Sequence, residues 1–128
     1  MITIGKLAKM TDSHVETIRY YQRIGLLRIP IAQGKYRYYN EQDIETLNFI
    51  HKGKEAGLQL SEIQELLNLE LDDRVQVRQV IEQRLMKIDQ RITELQSLKT
   101  RLASWLDECK STSASESCCP ILKDLKES

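Results

Sequence analysis

A chain of 128 residues, 41% hydrophobic and 30% charged, has room for one small domain with an appended element, and 5% aromatic content is thin for a single globule of that length. No apolar run approaches the roughly 18 residues of a membrane span, no secretory leader is expected, and five Gly with two Pro exclude a low-complexity linker. A cytoplasmic protein with no membrane partner is therefore expected. Lys and Arg balance Asp and Glu at 19 each, but residues 1–40 hold seven bases (Lys6, Lys9, Arg19, Arg23, Arg28, Lys35, Arg37) against Asp12 and Glu16. A +5 N-terminal third on a −5 remainder points to a polyanion-binding head.

Ile4, Leu7 and Ala8 have helical spacing and predict a first helix that stops near Met10-Thr11-Asp12. Ser13, with Glu16 three residues on, reads as a capping box for a second helix. Val15, Ile18, Tyr21 and Gln22 share its inner face, Tyr21 as a core aromatic, and Gly25 ends it. Two short helices across a tight turn make a helix-turn-helix. Leu26 to Tyr39, with Pro30 and Gly34, suits a β-hairpin: strands near Leu27–Ile29 and Lys35–Tyr39, with Gln33-Gly34 in the turn. A basic hairpin in that place is a wing. Asn40 caps the next helix, along which Ile44, Leu47, Phe49, Ile50 and Lys54 run to Ala56-Gly57. Ser61 starts a short helix, Ile63 to Leu69, with Leu66 and Leu67 inward, and His51 is expected on the surface.

From about Asp72 to Glu108 the pattern is one long helix. Ile81, Leu85, Ile88, Ile92, Leu95, Leu102 and Leu106 fall at heptad steps, with Lys99 at the skipped seam position. Some thirty-five residues rising 1.5 Å each span roughly 52 Å, more than the head can cover. A second copy, paired antiparallel about a two-fold axis, is the simplest cover. Residues 110–117 form a polar loop, and Pro120 opens a last short helix with Ile121, Leu122 and Leu125 as its apolar face. The predicted fold is mainly α: a winged helix-turn-helix head over 1–70, an antiparallel coiled-coil dimerisation helix over 71–108, and a cysteine-bearing effector loop over 109–128.

The second helix would lie in the major groove of DNA. His14 and Thr17, at its start, are placed to reach base edges; Arg19 can fork onto phosphate or guanine, and Tyr20 can reach phosphate through its hydroxyl. The three cysteines cluster at Cys109, Cys118 and Cys119, and without a leader a disulfide framework is not expected. Thiolates at that separation can converge on one soft cation. Nothing pairs a nucleophile with a base, so no enzyme is expected.

The runs Thr3-Ile4-Gly5-Lys6-Leu7-Ala8, Val15-Glu16-Thr17-Ile18-Arg19-Tyr20-Tyr21, Gly25-Leu26-Leu27, Tyr36-Arg37-Tyr38-Tyr39, Ala56-Gly57-Leu58-Gln59-Leu60-Ser61-Glu62-Ile63 and Glu94-Leu95-Gln96-Ser97-Leu98, in this order, resemble the MerR family of bacterial transcription regulators over nearly the whole chain. The resemblance implies a homodimer on a two-fold-related promoter site whose elements are set too far apart. With inducer bound, such a protein bends and untwists the DNA so that RNA polymerase engages both elements. It also implies that Arg19, Tyr20, Tyr36 and Arg37 hold the DNA backbone, with Lys35 adding charge.

In metal-sensing members two loop cysteines ligate the ion, the last one before Pro and an aliphatic pair. Cys119-Pro120-Ile121-Leu122 fits that pattern and Cys109 matches the first ligand, while Cys118 is extra or replaces Cys119. Where the family has Cys or Ser near the start of the dimer helix, this chain has Arg74, so no third thiolate comes from the other protomer. Two thiolates beside a guanidinium favour linear Cu(I), Ag(I), Au(I) or Hg(II); three local thiolates can still hold Hg(II), Cd(II), Pb(II) or Zn(II). Two other readings stand beside this one. A redox- or electrophile-sensing regulator would use a cysteine whose pKa Arg74 or Lys110 lowers. A coiled-coil assembly protein would carry a head that binds nothing specific.

Overall fold

The computed structural model describes residues 1–111 and 119–127. Six helices follow in chain order: α1 (Ile4–Met10), α2 (Val15–Arg23), α3 (Glu41–Glu55), α4 (Leu60–Leu67), α5 (Arg74–Ser111) and α6 (Pro120–Lys126). The chain divides into two compact units, Met1–Ile81 and Glu82–Ser128.

The first unit is the head. Leu7 and Ala8 from α1, Ile18 and Tyr21 from α2, Leu47 and Ile50 from α3 and Ile63 from α4 form one buried cluster with Leu26, Leu27 and Tyr39. These are the positions where helical spacing puts apolar side chains on one face, and their removal from water drives the packing. Phe49 departs from the expected inner stripe and is 40% exposed. Two residues past Leu47 it points about 200° away around α3, so it cannot share that buried face. Helices α3 and α4 meet at Gly53, where an added Cβ would lie 2.7 Å from Ile63 Cγ1. Helix α4 begins one residue before Ser61: Gln59 is its N-cap, and the Gln59 backbone N–H donates to Glu62 Oε1 at 2.8 Å.

Side-chain hydrogen bonds cap the starts of α1, α3 and α4. Thr3 Oγ1 accepts the Lys6 N–H ahead of α1, and Asn40 with Asp43 forms a full capping box ahead of α3. The box expected from Ser13 and Glu16 does not form; His14 is the N-cap of α2 and makes no side-chain cap bond. Ser13 is engaged elsewhere, its hydroxyl 3.0 Å from Thr11 Oγ1 and 2.7 Å from His51 Nε2. His51 is thus half-buried and ties α3 to the turn, instead of standing on the surface. Gly25, at φ +85°, ends the α2 segment in the left-handed conformation that glycine tolerates.

The wing is more compact than the expected hairpin. Gln33 and Tyr36 form an isolated antiparallel bridge around Gly34, and Tyr39 pairs with Ile2 instead of with residues 27–29. Leu27 turns into the core and Pro30 has no N–H to donate, so no first strand can run there.

Helix α5 is continuous for 38 residues, about 57 Å at 1.5 Å per residue. Its heptad stripe stays open, from 38% at Ile81 to 59% at Leu102. Pro120 is the first residue of α6, and Leu122 and Leu125 on the apolar face of that helix remain exposed.

Candidate DNA-binding surface and thiol site

Helix α2 and the wing enclose a cleft of about 550 Å³. Arg19 and Gln22 contribute from α2, Lys35, Tyr36, Arg37 and Tyr39 from the wing, and Thr3–Gly5 complete the lining. Three cations and no carboxylate line it, which suits a polyanion. The structure therefore brings Arg19, Lys35, Tyr36 and Arg37 together. Arg37 Nη1 also donates to the Pro30 carbonyl, which fixes the guanidinium within the wing. Tyr20 does not line the cleft; it is 42% exposed, with the Arg23 guanidinium 5.7 Å from its ring centroid. His14, exposed, and Thr17, half-buried, lie on the first turn of α2 and do not line the cleft.

Two side chains read from sequence only as an inner-face residue of α2 and as one of the head's bases, Gln22 and Arg28, take specific partners. Gln22 Nε2 donates to the Tyr39 hydroxyl at 2.9 Å and to the Arg28 carbonyl at 3.2 Å. Arg28 itself forks onto Asp43, Nε to Oδ1 at 2.9 Å and Nη2 to Oδ2 at 2.7 Å. One of the seven bases counted in the head is thereby committed to an internal ion pair. From sequence only the capping role of Asn40 was read here, and Asp43 was not; a pair fifteen residues apart carries no periodic signal.

In the second unit, Cys109 lies exposed in the last turn of α5 and Cys119 is the half-buried N-cap residue of α6. The two are in contact: the thiol of Cys119 is held below its usual range chiefly by the backbone N–H groups of Leu122 and Ile121. Desolvation opposes this, and the Cys109 side chain reinforces it. The cause is the start of α6, not Arg74 or Lys110 as expected. Arg74 is the first residue of α5. Cys118 lies outside the described residues. Among the described residues no group of three or more His, Cys, Asp or Glu could hold a metal ion. Trp105, the one Trp of the sequence, lines a smaller cleft with Glu108 and with Pro120 and Ile121 of α6, next in sequence to Cys109 and Cys119.

Residues 2–70 match the MerR HTH family regulatory protein family, and residues 44–105 match the family described as MerR, DNA binding. The chain belongs to the MerR family. It is a DNA-binding transcription regulator, not an enzyme. The HTH-type transcriptional regulator ZntR of Escherichia coli (strain K12) is 34% identical over 132 residues, spanning 99% of this chain and 94% of that protein. The mercuric resistance operon regulatory protein of Shigella flexneri is 34% identical over 129 residues, 98% of this chain and 88% of that one. The crystal structure of the transcription regulator PbrR691 from Ralstonia metallidurans CH34, in complex with lead(II), superposes with a TM-score of 0.82 at 31% identity, covering 98% of this chain and 99% of that one. The MerR-type fold read from the motifs, a mainly helical head with a long C-terminal helix, is the one observed.

Proposed function

We propose that this MerR-family regulator is a homodimer that senses a soft thiophilic metal ion and activates a promoter with an over-long spacer by distorting it for RNA polymerase. The observation that carries the reading is the meeting of Cys109 and Cys119 where α5 ends and α6 begins. A sulfur whose thiolate is favoured, beside a second sulfur, is the donor set that a soft ion requires. The described residues offer two thiols and no third ligand, which fits a two-coordinate Cu(I), Ag(I), Au(I) or Hg(II) best. Zn(II), Cd(II) or Pb(II) would need Cys118 as well. Relatives named for mercury resistance, and one bound to lead(II), support the class of inducer.

On the DNA side, Arg19, Tyr20, Lys35, Tyr36 and Arg37 hold phosphates, and His14 and Thr17 face base edges. The open apolar stripe of α5 is covered by a second copy running antiparallel. The head is then residues 1–70, the dimer helix 71–108 and the effector loop 109–128, working in the cytoplasm. The adjacency of Cys109 and Cys119 also supports a second reading, in which a peroxide-class oxidant joins them as a disulfide and supplies the signal.

Anaerobic titration separates the two. With Cu(I), Ag(I), Au(I), Hg(II), Zn(II), Cd(II) and Pb(II) added singly, thiolate-to-metal absorption and Trp105 fluorescence are expected to saturate with Cu(I) or Hg(II). Cys109→Ser abolishes that response while DNA binding persists. If no ion binds and promoter output follows oxidation of Cys109, the metal reading is wrong.

A further inference from the structure

We propose that Gln22, Arg28, Tyr39 and Asp43 form a brace that fixes the spacing between the wing and α2, making them positioning residues for DNA binding. Hydrogen bonds from residues 29–38 stay inside the wing, namely Gln33 with Tyr36 and Arg37 with Pro30. The placement of the wing is therefore decided at its two ends. At the entry, Arg28 presents its rigid fork to Asp43, whose carboxylate is 2% exposed and also accepts the Asn40 backbone N–H at 2.8 Å. At the exit, Tyr39 is buried and paired through its backbone with Ile2.

A single amide closes the frame. The two N–H groups of Gln22 Nε2 serve two acceptors, the Arg28 carbonyl at 3.2 Å and the Tyr39 hydroxyl at 2.9 Å. Gln22 lies one turn from Arg19 on α2, so the side chain that clasps both ends of the wing belongs to the helix whose cation faces Lys35 and Arg37 across the cleft. Cations on two elements meet successive phosphates without reorganising only if the elements are held at a fixed separation beforehand. Asp43 and Tyr39 are buried and Gln22 half-buried, and polar groups that satisfy one another in this way specify one arrangement instead of a family of them.

The inference rests on the reading of the wing as a phosphate grip, so its test carries a control for that reading. Fluorescence anisotropy on a footprinted promoter duplex, from 50 to 200 mM salt, is compared for the parent, Tyr39→Phe, Gln22→Met, the double variant and Arg37→Ala. Tyr39→Phe keeps the ring in the core and removes only the hydroxyl. Each brace variant is expected to weaken binding about fivefold and to lower the salt slope by about one contact, while the melting temperature falls by no more than about 4–8 °C and the head stays folded at the assay temperature. The double variant should lose no more than Gln22→Met alone, because the hydrogen bond that Tyr39→Phe removes is already absent there. If Arg37→Ala leaves the slope unchanged, the phosphate-grip reading fails. If Arg37→Ala lowers it while Tyr39→Phe binds like the parent, or the two brace effects multiply, the brace is refuted.

Discussion

Gly53→Ala places a methyl group where α3 meets α4. In an exposed helix interior this change gains about 0.8–1 kcal/mol from backbone entropy. Here the new Cβ would stand 2.7 Å from Ile63 Cγ1 and 2.9 Å from Ile63 Cδ1, well inside the roughly 3.5–4.0 Å of a favourable carbon contact. Ile63 is fully buried, so it cannot swing into water to relieve the clash. Overpacking of this kind costs about 1–3 kcal/mol, so the net effect is a loss of about 1 kcal/mol. In a head of this size that corresponds to a fall of about 4–8 °C in melting temperature. The sign should reverse in an Ile63→Ala background. That variant alone costs about 2–5 kcal/mol, but it deletes both clashing atoms, so adding Gly53→Ala restores about 1 kcal/mol. Urea melts at fixed protein concentration, followed by circular dichroism, measure all four proteins. A parent protein stabilised by Gly53→Ala, or a destabilisation that persists unchanged without the Ile63 side chain, would refute this contact as the reason for glycine at 53.

Asp43→Ala strands the Arg28 fork and removes half of the α3 capping box. Losing one partner of a buried pair costs about 3–5 kcal/mol, and with the Arg28 side chain 47% exposed about 2–3 kcal/mol is expected in urea melts; a loss under 1 kcal/mol would contradict it. Leu95→Glu puts a charge in the open stripe of α5, and sedimentation should show the dimer shifting to monomer at micromolar concentration; an unchanged mass would place the interface elsewhere. Alkylation of Cys119, read by peptide mass spectrometry against pH, should have its midpoint below the usual thiol value of about 8.5; a midpoint at or above that value would contradict the pull of the Leu122 and Ile121 N–H groups. Because the folded-state value is the lower one, the thiolate's contribution to holding α6 is complete above the unfolded value. It is lost as pH falls through the folded value.

Much of the fold was legible because it is local. The periodic runs around Ile18-Tyr21 and Leu47-Ile50, the Asn40 cap and Gly25 each act within one helix or turn. The long stripe of α5 is readable for the same reason. What failed needed information from elsewhere in the chain. Ser13 has the residue type and spacing of a cap, yet its hydroxyl goes to Thr11 and to His51, thirty-eight positions away. The first wing strand was lost to Leu27 entering the core and to Tyr39 choosing Ile2. In the candidate site, the basic residues were visible as charge, whereas Gln22 looked like a marginal member of an apolar face. Cys109 and Cys119 stood out in the sequence through a helix end and a Cys-Pro step. The source of the favoured thiolate, the N–H groups of α6, did not.

On the proposed mechanism an ion held at the cysteines changes the shape of the DNA gripped by the head. This mechanism is tested most directly on a promoter duplex carrying a fluorophore at each end, with energy transfer measured in the protein complex before and after Hg(II) or Cu(I). End-to-end transfer should change for the parent protein, with the protein still bound, and not for Cys109→Ser. Identical transfer with the ion demonstrably bound, or an equal change in Cys109→Ser, would contradict it.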